Sequence, residues 1–202
     1  FVDVMAPIQS YAETQLDWNP TIYGNYASSE YLLNICGFLI LAGFILDKTG
    51  IRFTGLLSGS LMVIGATIKF IGISEWFQGT GFCEWLNSWW TAMPGSATMA
   101  SLGFMIFGCG CEMAGTTVSK AIAKWFKGKE MALAMGTQVA VARLGTAMAM
   151  IVSPLIVKNF SMSTPLLFAL VLIGIGLVAY CVFCVMDAKL DKQLVAEQND
   201  AE

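Results

Sequence analysis

Apolar residues in this chain come in runs of about 20, separated by short segments that hold most of the charge. At ~1.5 Å of rise per helical residue, such a run crosses a hydrocarbon core of ~30 Å. The runs predict six spans, at about 1–16, 21–46, 52–74, 98–124, 130–157 and 164–186. Residues 1–186 therefore read as one all-α, polytopic membrane helical bundle. The chain opens on "FVDVMAPIQSYAETQ", inside a helical pattern and without an initiator Met, so it reads as a fragment with a truncated first helix. In "LDWNPTIYG", Asn19 stands in a capping position and Pro20 in the first helical one. The polar stretch "DAKLDKQLVAEQNDAE", residues 187–202, reads as a cytoplasmic tail or a linker to a second half.

Charge orients the spans. Lys48 and Arg52 share one loop, Lys120, Lys124, Lys127 and Lys129 flank another, and Lys189 and Lys192 follow the sixth span. Loops enriched in Lys and Arg stay in the cytoplasm, which places segments 47–52 and 120–129 and the tail there. All three follow even-numbered spans, so parity agrees. The loop at 75–97 holds Trp76, Trp85, Trp89 and Trp90 and is expected outside, where indoles favour the membrane interface.

Composition narrows the classes. Hydrophobic residues make up 56 % of the chain, charged residues 12 %, and mean hydropathy is +0.68. No basic patch suits a nucleic acid. The chain has no histidine and no apparent nucleophile–base pair, so an enzyme is not expected. Cys36, Cys109, Cys111, Cys181 and Cys184 fall in spans and only Cys83 in a loop, which gives no disulfide framework.

The segment "GFILDKTGIR", residues 43–52, spaces Gly43, Asp47, Gly50 and Arg52 as G-x-x-x-D-x-x-G-x-R between the second and third spans. Gly43 would permit close helix approach and Gly50 a tight turn. Asp47 and Arg52 put charge at helix ends, where dipoles and neighbouring chains can engage it. A generic basic turn is the plainer reading. In this position the segment resembles the signature loop of the major facilitator superfamily. The resemblance covers the whole chain, which would then be the N-terminal six-helix half of a twelve-span transporter whose C-terminal half is its missing partner. It implies alternating access, with the loop aspartate helping to latch the halves on the cytoplasmic side.

"GCGCEMAGTTVSK", residues 108–120, sets a glutamate and two cysteines within an apolar run. Cys109 and Cys111 are two apart, roughly 200° around a helix, so they cannot chelate one ion; no metal or cofactor is expected. Glu112 is different, because an ionisable group at mid-bilayer costs at least ~2.5 kcal/mol and rarely faces lipid. It lies 12 residues before Lys124, ~18 Å along its helix, while Arg143 lies 13 residues after Glu130, ~20 Å along the next. That arithmetic brings the pair to nearly one depth. Thr116 follows Glu112 at i+4, Gly108 and Gly115 allow close packing, and Gly136, Ala140 and Ala147 form a small-residue stripe with Arg143. Two readings stay open: a permanent structural bridge, or a pair that meets solute in a central cavity.

The stretch from "FGCGCE" through the "WFKGKE" loop to "QVAVARLG" is similar to that of the lysosomal dipeptide uniporters and their bacterial relatives. This resemblance implies passive dipeptide transport, with Glu112 and Arg143 facing the peptide's charged termini. A zwitterion suits one carboxylate and one guanidinium. The fifth span lacks the Gly-Pro of proton-coupled drug exporters, having Ala149 and Met150 there.

Other polar residues sit at depth. Asp3 approaches the midplane and can join the Glu112 site; Glu30, ~25 Å from Asp47, is a candidate proton, solute or gating residue, or else a solvated vestibule carboxylate. Lys69 is expected near the outer interface, with its stem snorkelling to headgroups. The expected protein is a transporter of a small polar or zwitterionic solute in a bacterial inner membrane, touched only by solute, lipid and its other half. The alternatives are a proton-coupled transporter of organic or inorganic anions, and a non-transporting receptor or scaffold with the same fold.

Overall fold

A computed structural model describes residues 1–126 and 130–200, with side chains as far as residue 193. Lys127 and Lys129, part of the predicted basic loop, lie outside the described residues. The described residues form helices α1 (Gln9–Gln15), α2 (Pro20–Leu33), α3 (Leu39–Ile73), α4 (Glu75–Gln78), α5 (Gly81–Trp89), α6 (Gly95–Trp125), α7 (Met131–Asn159) and α8 (Thr164–Asp200). Four helical stretches among them are long and apolar enough to cross a membrane: Pro20–Ile73, Gly95–Trp125, Met131–Asn159 and Thr164–Gln193.

The first of these is 54 residues long and is not straight. Gly50, at φ 80° and ψ 175°, breaks it in a region of backbone space open essentially to glycine alone. Packing against α6 shows that the chain reverses there. Before the break, Glu30 lies against Gly108, and Lys120 donates to the Leu46 carbonyl. After it, Ser58 faces Gly110, Gly65 faces Gly103 and Phe107, and Gly72 faces Ala100. The order along α6 ascends on one leg and descends on the other, so the stretch is a hairpin of two crossings.

Several boundaries depart from the sequence reading. Residues 1–16 are not one helix: two 3-10 turns, Val2–Val4 and Ala6–Ile8, precede a seven-residue α1. Pro7 accounts for this, because its ring lacks an N–H and clashes with the carbonyl four residues back. The run at 21–46 is interrupted by a π-type turn, Asn34–Phe38, in which Gly37 takes φ 96°. Short helices α4 and α5 occupy the loop at 75–97. The polar stretch from residue 187 continues α8 as helix to Asp200. Asn19 does cap α2, its Oδ1 accepting from the Ile22 N–H at 2.9 Å ahead of Pro20.

The main core lies toward the Trp-rich end. It gathers Ile8, Trp18, Tyr26, Phe104, Phe107, Val157 and Leu166. Trp18 donates from Nε1 to Ser96 Oγ at 3.1 Å, tying the α1–α2 turn to the start of α6. The Asn87 side chain accepts from the Gly95 N–H at 2.6 Å and fixes the entry to that helix. A smaller cluster, Leu46, Ile51 and Ala121, closes the basic end. Helix α7 joins the core only through its second half; from Met131 to Gly145 its residues are mostly exposed.

Candidate functional site

Helix α6 runs through the middle of the bundle and holds Glu112 half-buried, without an ion pair or side-chain hydrogen bond among the described residues. Thr116 sits one turn further along the same helix. Its hydroxyl donates back to the carbonyls of Glu112 and Met113, at 3.3 and 3.0 Å, as threonines in helix interiors do. One turn before Glu112, Gly108 lets Glu30 press against the α6 backbone; a Cβ on Gly108 would stand 2.9 Å from Glu30 Cγ. Glu30 is only 6 % exposed, so it is not a solvated vestibule carboxylate. Asp3, Lys69 and Glu112 all lie within electrostatic range of it.

Asp3 reaches across to α7, where its Oδ2 accepts from Thr146 Oγ1 at 2.9 Å. A cleft of about 440 Å³ opens beside this contact, lined by Phe1, Asp3, Thr146, Ser153 and Phe168. Arg143 lies three residues from Thr146 but is exposed and makes no ion pair among the described residues. The Glu112–Arg143 bridge that equal depth allowed is therefore not formed. Depth along an axis does not set rotation about it, and α7 turns Thr146, Ala149, Ser153 and Val157 toward the first segment and the core instead.

Lys69 overturns its sequence reading. It is fully buried, with no hydrogen-bond acceptor on Nζ among the described residues. Three aromatic rings surround the ammonium, with centroids at 3.9 Å for Phe104, 4.5 Å for Phe1 and 5.3 Å for Tyr26. Snorkelling needs a path to headgroups, and the close α3–α6 contact at Gly103 denies one. A lone lysine between two glycines at i−4 and i+3, Gly65 and Gly72, was the available signal: glycines on that face bring a partner helix over the lysine stem.

At the basic end, Asp47 accepts from Lys120 at 2.7 Å, an exposed pair. Arg52 donates from Nε to Asp187 Oδ2 at 2.7 Å and also engages Asp191. Asp187 is almost wholly buried and further accepts from Lys124 at 2.8 Å and from Trp125 Nε1 at 3.1 Å. Asp187 and Asp191, an i,i+4 pair, were missed in the sequence because they head what read as a tail. Gly43 does not serve helix approach within this chain, since a Cβ there meets open space; Gly115 and Gly136 are equally open.

A profile of the Major Facilitator Superfamily matches residues 2–200. The chain belongs to that superfamily. Its members are membrane transporters, not enzymes, and this chain is a multi-pass membrane protein of that kind of fold. Among curated relatives, the choline/ethanolamine transporter FLVCR1 of Felis catus is 25 % identical over 147 residues, covering 73 % of this chain and 23 % of the relative. The lysosomal dipeptide transporter MFSD1 of Mus musculus is 27 % identical over 153 residues, covering 73 % of this chain and 28 % of the relative. The same-named protein of Danio rerio is 29 % identical over 111 residues, 54 % of this chain and 20 % of the relative. This major facilitator chain thus spans about a quarter of the length of the first two relatives. No solved structure matches it.

Proposed function

We propose that the protein moves a small solute bearing an ammonium group, a dipeptide in the first instance, by alternating access about a mid-membrane site. Glu112 faces the ammonium and Arg143 the carboxylate, with Asp3 and Glu30 adding negative potential around the first. The observation that carries this reading is Glu112 itself, a carboxylate deep in a membrane helix with no partner among the described residues of its own bundle. An ionisable group so placed is retained where it meets solute or a water-filled path.

The relatives support the shared chemistry. Dipeptides, choline and ethanolamine, the solutes named for those proteins, all carry a cationic nitrogen. A monocation without a carboxylate is the second reading, favoured by the position of Asp3 and Glu112 within electrostatic range of Glu30 while Arg143 makes no ion pair among the described residues. Segment 43–52 acts as the latch between halves, with Asp47 and Arg52 on the cytoplasmic side of a bacterial cell membrane.

The test is a ligand panel on the full-length protein, scored by thermal shift and liposome counterflow. Free dipeptides are compared with N-acetylated and C-amidated forms, in wild type, Glu112→Gln and Arg143→Gln. N-acetylation and Glu112→Gln should each abolish the response, and C-amidation should weaken it. Blocked peptides that bind as well as free ones end the assignment, and binding of choline alone selects the second reading.

A further inference from the structure

Lys69 is the one fully buried basic side chain among the described residues, and the site so far described leaves it without a role. Its surroundings are unusual for an ion. The rings of Phe104, Phe1 and Tyr26 face the ammonium, Glu30 and Asp3 attract it from a distance, and no acceptor among the described residues touches it. Rings stabilise a cation through their quadrupoles but neither neutralise it nor take its protons. A lysine bridged directly to a carboxylate would form a dipole whose field decays quickly. A caged and unbridged lysine acts as a monopole on every charge within reach, weakly screened because aromatic carbon fills the space around it.

The charges within reach are those of the proposed solute site. Glu30 lies in range of Lys69, Asp3 and Glu112 together. Removing the lysine takes one cationic group from beside these carboxylates, and a solute with a second positive charge would gain most from the change.

We propose that Lys69 sets the charge class of the solute, holding the site to substrates with one ammonium and excluding dications. It does not touch the solute; it works through the field it adds to Glu30 and Asp3. The proposal rests on the reading of Glu112 as the ammonium contact. Phe104 and Tyr26 belong to the same device, because they hold the ammonium away from a permanent bridge with Glu30.

Full-length protein in nanodiscs is titrated with glycylglycine, choline and the diammonium probe putrescine, in wild type, Lys69→Arg and Lys69→Met. The Kd ratio of monoammonium probe to putrescine should rise about tenfold or more in Lys69→Met and stay at the wild-type value in Lys69→Arg. Lys69→Gln removes the same charge while keeping a polar side chain, and it carries the test if Lys69→Met does not fold. Equal weakening of all probes with the ratio unchanged in the neutral variant that folds gives Lys69 a purely structural role and overturns the proposal. Failure of wild type to bind any of the three probes overturns the ammonium-solute reading itself, and the role of Lys69 with it.

Discussion

Arg52 and Asp187 are 135 positions apart in the chain, yet the guanidinium Nε and carboxylate Oδ2 lie 2.7 Å apart at the basic end of the bundle. Through this contact, the hairpin turn of α3 is fastened to the end of the last apolar run. Asp187 also receives Lys124 and Trp125 from α6, so one nearly buried carboxylate joins three helices. Neutralising it weakens three charge-assisted hydrogen bonds at once, although Arg52 and Lys124 keep a second contact with Asp191.

Asp187→Asn should therefore loosen the basic end without altering the solute site. The expected result is a fall in Tm of about 5 °C for the purified full-length protein, with solute Kd unchanged. Asp191→Asn, whose partners keep Asp187, should cost clearly less. Equal losses for the two variants would contradict the central role of Asp187.

Asp47 is exposed and its pair with Lys120 is weakly stabilising, as surface pairs are. If segment 43–52 latches the halves, Asp47→Asn should slow counterflow severalfold while leaving solute Kd and Tm near wild type. A matching change in Kd would place Asp47 in solute binding rather than in gating.

Gly50 occupies backbone space that other residues reach only with strain. Gly50→Ala should cost about 1–3 kcal/mol, read as lower yield and an earlier thermal transition. Gly43→Ala, where open space surrounds the new methyl, should be nearly neutral in the same assay.

The α3–α6 seam depends on missing side chains. A methyl on Gly65 would meet the Phe107 backbone, and one on Gly103 the Lys69 backbone. Gly65→Ala and Gly103→Ala should each destabilise by about 1–3 kcal/mol through forced separation of the helices. Gly103→Ala should in addition disturb the Lys69 cage, visible as an altered putrescine response.

Trp18 is wholly buried and keeps its indole N–H bonded to Ser96. Trp18→Ala should destabilise by about 3–5 kcal/mol, against roughly 1 kcal/mol for Ser96→Ala. Thermal melts of the two variants separate ring packing from the hydrogen bond.

The apolar runs from 98 to 124 and from 130 to 157 nearly coincide with α6 and α7, because bilayer thickness converts directly into residue count. The G-x-x-x-D-x-x-G-x-R segment pointed to the superfamily for a similar reason: charges and glycines at a turn are read locally. The interruptions at Pro7 and Gly37 were also present as residue types, but whether a proline or glycine breaks a span depends on what packs around it. Glu112 and Arg143 stood out as ionisable residues at depth, whereas their failure to meet could not be foreseen from spacing alone.

By itself the chain's order of residues determined the helical class, the membrane setting and the family, since these follow from composition, the length of apolar runs and local motifs. Tertiary structure alone decided that Lys69 is caged by three rings, that Asp187 gathers three donors, and that Arg143 and Glu112 form no ion pair among the described residues. Those outcomes depend on how each helix is rotated about its axis, and rotation is set by close packing between residues far apart in the chain.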